Sequence, residues 1–327
     1  MQYRTLGKSG LKISSVSFGA WALGGDFGTV SDAESKQAVL RAIELGVNFF
    51  DTADVYGDGR SERILGEVKA ASKAEIIIAT KAGRRLNPHT AKGYNQANLT
   101  AFIERSLSNL RVEALDLLQL HCPPTDTYYM PEVFGALDQL KQQGKLRHYG
   151  VSVERVEEAL KAVEYEGVTS VQIIYNLLRQ RPKELFFARA KTKQVGILAR
   201  LPLSSGMLAG TMNAATRFEP SDHRNYNKNG EAFDQGETFS GVPFDTGLAF
   251  VEQLRGLVPT ATSLAAFSMR WILMDDAVTA VIPGAKRPSQ VEENVKAGAL
   301  EPLTDSALRQ IEALYDERIR SLVHQRW

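Results

Sequence analysis

The chain has 327 residues, 43% hydrophobic and 24% charged, with 39 Lys and Arg against 38 Asp and Glu. A net charge of +1 gives no electrostatic reason to expect nucleic acid or an anionic membrane as partner, and no apolar run is long enough for a conventional transmembrane helix. The single cysteine, Cys122, excludes an intramolecular disulfide and a cysteine-built zinc site; with no secretory leader at the start, this predicts a reducing, cytoplasmic setting.

In chain order, short apolar or β-branched runs alternate with amphipathic stretches. Strand Ser15–Phe18 precedes a helix opening on the capping box Ser31-Asp32-Ala33-Glu34 and stopping at Gly46. Strand Val47–Phe50 is followed by a helix over Ser61–Ser72, strand Glu75–Thr80 by Leu99–Leu110, and strand Leu115–Leu120 by Pro131–Gln143. Strand Arg147–Val151 leads to helix Val156–Glu164, and Ser170–Tyr175 to Lys183–Thr192. Strand Val195–Ala199 is followed, after a long interval, by helix Thr262–Met274. The last strand, Val278–Ile282, is followed by helices over Ser289–Ala297 and Thr304–Tyr315.

Most of the strands read as continuous apolar runs, as parallel strands covered on both faces do. Eight of them alternating with helices predict α/β architecture: one (β/α)8 TIM barrel domain over 1–327. About eighty residues separate the seventh strand from the eighth, and Asn213–Asp245 is dense in Gly, Asn, Asp and Ser. This long loop predicts a lid or a mobile loop over 211–247. The competing architecture, an open doubly wound sheet, lacks its dinucleotide fingerprint: Gly57-Asp58-Gly59 is followed at the third required position by Glu62.

Polar residues at the C-terminal ends of barrel strands are the ones that carry chemistry. Asp51 follows the second strand, Tyr56 lies in the loop after it, Lys81 follows the third and His121 the fourth. Singly, an Asp after a strand caps a turn, a strand-end Lys is a solvated charge, and a His before Cys-Pro-Pro closes a loop. Together they make a proton-relay site. A tyrosine, with an ordinary pKa of about 10, becomes a better proton donor and acceptor beside an ammonium that stabilises phenolate. Lys81 stays charged only if paired, with Asp51 as the counter-charge. Neutral His121 can donate to a substrate oxygen on which charge develops. His89, His148 and His223 show no ligand spacing, so no metal is expected.

These residues carry a family resemblance. Gly19-Ala20-Trp21, Asp51-Thr52-Ala53-Asp54-Val55-Tyr56-Gly57, Thr80-Lys81, Leu120-His121, Gly150-Val151-Ser152 and Ile282-Pro283-Gly284 resemble the aldo-keto reductases in order and spacing. The similarity runs from a hairpin at Tyr3-Arg4-Thr5-Leu6-Gly7 to about Lys296. Its closest flavour is the bacterial branch similar to general-stress reductases and potassium-channel β-subunits. The resemblance implies an oxidoreductase in which Tyr56 is the general acid, Asp51 and Lys81 tune it, and His121 orients the carbonyl. It implies NADPH lying extended across the barrel mouth, with NADH as a second cofactor, and an aldehyde or ketone as the small-molecule substrate. Ser152 and Gln172 match positions that hold the carboxamide. Leu201, Leu203, Ser205 and Gly206 match the loop that wraps the pyrophosphate. Gly284, Gln290, Glu293 and Asn294 match contacts of the adenosine end, where Lys286 and Arg287 supply positive charge for a 2′-phosphate. Ala20 and Trp21 fall at the cofactor's edge, Trp21 as a wall of the substrate pocket.

Two positions depart from the pattern. Arg200 stands where many members stack a tyrosine on the nicotinamide, and its guanidinium is suited to stacking or to reaching the pyrophosphate. Val153 replaces a common asparagine. Two other functions compete: a Schiff-base lyase with Lys81 as nucleophile, and an NADPH-binding redox-sensing subunit. The resemblance is compatible with a monomer or an oligomer.

Overall fold

The computed structural model describes residues 1–25 and 27–327. Strands β1 (Tyr3–Thr5) and β2 (Lys12–Ser14) form an antiparallel hairpin. The remaining strands are β3 (Phe18–Gly19), β4 (Phe49–Asp51), β5 (Ile77–Ala82), β6 (Leu115–His121), β7 (Leu146–Ser152), β8 (Val168–Ile174), β9 (Gly196–Arg200) and β10 (Val278–Ile282). They pair in chain order as one parallel sheet. The sheet closes where the chain around β3 meets β10, through the Val16–Val281 and Gly19–Gly284 bridges. Ser17 N–H donates to Val281 C=O at 3.0 Å and Gly19 N–H to Pro283 C=O at 2.9 Å. All eight expected barrel strands are present, with ends shifted by at most three residues and Val278–Ile282 matched at both ends.

Two apolar cores follow from this closure. Phe49, Ile77, Ala79, Leu117, Leu198, Ala280 and Ile282 fill the barrel interior together with Leu6 and Ile13, so the hairpin plugs one end of it. The larger core lies between the strands and the helices. Those helices are α1 (Asp32–Glu44), α2 (Arg60–Ala71), α3 (Gln96–Leu110), α4 (Pro131–Gln142), α5 (Val156–Ala162) and α6 (Phe186–Thr192), followed by α9 (Leu264–Leu273) and α10 (Pro288–Val295). Ser31 accepts from the Glu34 N–H and Glu34 reaches back to the Ser31 N–H, so the expected capping box is formed.

The interval between β9 and β10 holds more structure than its composition suggested. It contains a short α7 (His223–Tyr226), several 3-10 turns and α8 (Phe244–Arg255), besides α9. Helix α8 buries Gly247, Phe250, Val251 and Leu254, an i, i+3, i+4, i+7 set that the sequence reading passed over. The irregular part therefore ends at Pro243 rather than at 247. Two further helices, α11 (Asp305–Arg318) and α12 (Arg320–Val323), follow α10, and α11 packs against α8. Among the described residues no helix is long and apolar enough to cross a membrane.

Candidate active site

Parallel strands in register deliver their C-terminal residues to one face of the barrel. Asp51 ends β4, His121 ends β6 opposite Ser152 at the end of β7, and Ser152 pairs with Gln172 of β8. Lys81 of β5 lies across from Gln119 of β6, and Arg200 ends β9 beside Ile174.

Lys81 Nζ is 2.5 Å from Asp51 Oδ1, 2.8 Å from the Thr52 carbonyl and 3.3 Å from Tyr56 Oη. The ammonium is thus shared among three acceptors in a 1% exposed position. Asp51 Oδ2 accepts from Gln172 Nε2 at 2.7 Å and from Gln119 Nε2 at 3.1 Å. Tyr56 reaches this group because its loop lies flush against the segment carrying Trp21. A Cβ on Gly24 would come 2.7 Å from Gly57 N, and one on Gly57 (φ +58) 2.7 Å from Gly24 O. The Trp21 ring then stacks on Tyr56, centroids 5.9 Å apart at 19°, while His121 meets Tyr56 edge-on at 5.9 Å.

The electrostatics correct one expectation. Burial pushes the Tyr56 hydroxyl above the ordinary tyrosine value, and Lys81, although it pulls the other way, does not overcome it. Burial is the largest influence, and the negative charges of Asp51, paired to Lys81 at 2.5 Å, and of Glu237 add to it. Burial alone would lower Lys81, but Asp51 and Tyr56 together hold its ammonium above the usual lysine range. Burial, then the charges of Arg84 and Lys81, depress His121 well below the ordinary histidine value. His121 is therefore a neutral imidazole, and its Nδ1 is buried without a hydrogen-bond partner. A charged Lys81 is not an amine nucleophile, which removes the chemical basis of the Schiff-base reading.

A cavity of about 400 Å³ opens over these groups. Its lining unites most of the residues singled out in the sequence: Trp21, Asp51, Tyr56 and His121, then Ser152, Gln172, Arg200, Leu201, Leu203, Ser205 and Gly206, and at its far end Gly284, Lys286, Gln290, Glu293 and Asn294. Lys81 lies beneath the lining, held by Asp51 and Tyr56. Ala20 and Arg287 are not brought to the cavity. Ala20 is fully buried, with its carbonyl taken by Ser61 Oγ, and Arg287 is exposed.

Arg200 is held by an arrangement the sequence reading did not anticipate. Its Nη2 donates to Glu154 Oε2 at 2.8 Å and to the Val153 carbonyl at 3.1 Å, and its Nη1 lies 3.5 Å from Glu237. Arg84 pairs with Glu237 and, at 3.2 Å, with Glu154. Two arginines and two glutamates from four separate stretches form one cluster at the mouth, with Arg200 and Glu237 buried and Arg84 and Glu154 partly buried. Local sequence carried no signal for Arg84, Glu154 or Glu237, since each becomes meaningful only beside the others. Glu237 is held ionised, well below the usual carboxylate range, because Arg84 and Arg200 outweigh its burial. Burial and the neighbouring Glu237 push Glu154 the other way. Cys122, beside this cluster, is buried, and burial pushes its thiol far up, so it is inert.

The rest of the cavity suits an extended anionic dinucleotide. Ser204 and Ser205 adopt left-handed backbone (φ +48 and +55) and lead into Gly206 (φ +93), a concave turn at the cavity wall where Gly206 presents no side chain. At the far end Gln290 Oε1 accepts from the N–H groups of Lys286 and Arg287, ordering the start of α10. Lys286 Nζ donates to the Phe27 carbonyl at 2.7 Å, and Asn294 Nδ2 to the Gly284 carbonyl at 3.3 Å. Glu293 is occupied by Ser263 and by Lys296 at 2.6 Å.

Comparison with known proteins accords with this geometry. The model of the Aldo/keto reductase family matches residues 15–316. The L-glyceraldehyde 3-phosphate reductase of Escherichia coli is 34% identical over 311 residues, covering 91% of this chain and 87% of that protein. The "Probable voltage-gated potassium channel subunit beta" of Arabidopsis thaliana is 30% identical, covering 97% and 98%. Among solved structures, a glycerol dehydrogenase from Gluconobacter oxydans superposes with a TM-score of 0.77 at 29% identity, over 94% of this chain and 93% of its own. A holo aldo-keto reductase from Bacillus halodurans gives 0.76 at 27% identity, over 96% of each. The barrel, its strand-end tetrad and the match across nearly its whole length together mean that the chain belongs to the aldo/keto reductase family of NAD(P)H-dependent oxidoreductases.

Proposed function

We propose that the chain reduces the carbonyl of aldehydes or ketones with NADPH, with Tyr56 as the general acid. The observation that carries this reading is the contact of Tyr56 Oη with Lys81 Nζ at 3.3 Å, with Lys81 itself paired to Asp51 at 2.5 Å. A bound nicotinamide dinucleotide supplies the hydride. The chain's own residues do the rest. Tyr56 stays protonated because burial disfavours its phenolate, and it holds that proton at Oη for the carbonyl oxygen. Lys81 stabilises the phenolate left behind, and Asp51 keeps Lys81 charged. Neutral His121 polarises the carbonyl as a hydrogen-bond donor without competing for the proton.

Ser152 and Gln172 line the reacting end of the cavity, but Gln172 Nε2 is committed to Asp51, which leaves its carbonyl oxygen for a carboxamide. The Ser204–Gly206 turn suits the pyrophosphate, and Lys286, Gln290 and Asn294 the adenosine end. Lys286 supports preference for a 2′-phosphorylated cofactor. Segment 211–243 is read as the lid over this groove, since Glu237 from it reaches Arg84 and Arg200.

The test titrates wild type and Tyr56→Phe with NADPH by protein fluorescence, then follows NADPH absorbance with a panel of aldehydes and ketones. Binding by both proteins with turnover only by wild type is the expected result. Turnover retained by Tyr56→Phe overturns the assignment of the acid, and failure of both to bind NADPH overturns the cofactor.

A further inference from the structure

Trp327 is 4% exposed and far in sequence from every residue of the tetrad. Its Nε1 donates to Asp234 Oδ1 at 2.8 Å, and the guanidinium carbons of Arg179 and Arg326 each lie 4.1 Å from its ring centroid. Arg179 is 1% exposed and, among the described residues, has no carboxylate within ion-pair distance. Its Nη2 donates to the Ser240 carbonyl at 2.8 Å, and the face of the Trp327 ring adds a cation–π contact that favours its charge. Segment 234–241 is moulded to this ring. A Cβ on Gly241 (φ +77) would come 2.5 Å from the indole, and one on Gly236 2.6 Å from Arg179 Nη2 and 3.0 Å from the indole.

The same segment touches both halves of the site. Glu237 joins the cluster of Arg84, Arg200 and Glu154. Ser240 Oγ is 2.8 Å from Ser204 Oγ and accepts from Asn176 Nδ2 at 2.9 Å. Ser205 Oγ donates to the Glu237 carbonyl at 3.1 Å and accepts from the Phe239 N–H at 3.2 Å. Ser240 and Phe239 both hold left-handed backbone, which persists only where surrounding contacts impose it.

We propose that Trp327 is a positioning residue for cofactor retention. By clasping segment 234–241 it fixes Glu237 against Arg84 and Arg200, and Ser240 against the 204–206 turn. The kinetic half of this rests on the NADPH reading above; the structural half does not.

The test compares wild type, Trp327→Ala and Trp327→Phe. Hydrogen–deuterium exchange without ligand is read first, then NADPH release by stopped flow and the split between kcat and KM. Trp327→Ala is expected to speed exchange of 234–241 and 204–207 by roughly tenfold or more while β5–β8 stay protected. NADPH release should accelerate roughly tenfold and its KM rise, with kcat changed little or increased. Trp327→Phe keeps an aromatic face for Arg179 but loses the bond to Asp234, and should recover most of both effects. A purely global loss of stability would instead raise exchange throughout and show no rescue specific to release.

Unchanged exchange over 234–241 in Trp327→Ala overturns the clasp. Faster exchange with unchanged NADPH release overturns its role in retention. If wild type does not bind NADPH at all, the retention role falls with the cofactor reading, while the exchange result still decides the clasp.

Discussion

Asp51 accepts from Lys81 at 2.5 Å through one carboxylate oxygen and gives the other wholly to glutamine amides, Gln172 at 2.7 Å and Gln119 at 3.1 Å. Both carboxylate oxygens are therefore engaged by the protein itself. In the proposed mechanism the work of Asp51 is to keep a buried ammonium charged beneath Tyr56. A buried ion pair of this kind adds little net stability, but breaking one side of it leaves an uncompensated charge.

Asp51→Asn removes that counter-charge while keeping the shape. Reduction is expected to slow by about 10²–10³-fold in kcat, within the range that positioned acid catalysis contributes. Stability should fall by about 3–5 kcal/mol, since Lys81 is left buried and unpaired. Steady-state kinetics beside urea unfolding separates the two effects. Full activity in a folded Asp51→Asn protein would remove Asp51 from the machinery.

The pH profile follows from two shifts. Tyr56 must carry its proton to act as an acid, and burial raises its pKa above the ordinary tyrosine value. Carbonyl reduction should therefore lose activity only on an alkaline limb above about pH 10. His121 is held neutral far below its ordinary range, so no acid limb arises from it near pH 6.5. Lys81→Met should move the alkaline limb upward, because Lys81 is the group that opposes the rise of Tyr56. A limb centred near 7 that shifts with Lys81→Met would instead mean that Lys81 dominates Tyr56, as the sequence alone suggested.

Much of this site was legible because its residues sit at strand ends, where period and position fix direction. Asp51, Lys81 and His121 each follow an apolar run, and a parallel barrel sends all such residues to one face. What sequence could not supply was the balance of fields around Tyr56. That depends first on how deeply the fold buries Tyr56, and then on how Lys81 and Asp51 sit around it, neither of which a spacing rule contains. The Arg84–Glu237–Arg200–Glu154 cluster was unreadable for a related reason. Its members lie on four distant stretches, and each looks like an ordinary charged residue until the fold brings them together and buries Arg200 and Glu237 among them. Helix α8 was missed because the Gly- and Asn-rich stretch before it masks where its apolar face begins at Phe244.

Cofactor choice should divide Lys286 from Arg287. Lys286 lines the cavity with its ammonium on the Phe27 carbonyl, whereas Arg287 is exposed and outside it. Lys286→Ala is expected to weaken NADPH relative to NADH by about tenfold, as loss of one charge-assisted hydrogen bond would. Arg287→Ala should change the ratio by about twofold at most, a surface-charge effect. Dissociation constants for both cofactors, measured at one ionic strength, check this. Equal effects of the two substitutions would place the 2′-phosphate outside the cavity rim.

Asp54, two residues before Tyr56, is fully buried, and neither of its carboxylate oxygens meets a hydrogen-bond partner of good geometry. Burial, then the neighbouring Glu62, raises its pKa from 3.8 to about 7. Between those two values the unfolded chain has released this proton while the folded chain retains it, so stability falls as pH rises through the window and levels off above about 7. At about 1.4 kcal/mol per unit the whole shift corresponds to about 4 kcal/mol, an upper bound for one group. Asp54→Asn abolishes the titration without changing shape. The variant should match wild type within about 0.5 kcal/mol near pH 4, where Asp54 is neutral, and exceed it by about 2–4 kcal/mol at pH 8. Urea unfolding at pH 4, 6 and 8 gives the comparison. An Asp54→Asn protein less stable than wild type at pH 8 would mean that the carboxylate is ionised and solvated or paired, and that the loop carrying Tyr56 tolerates its charge.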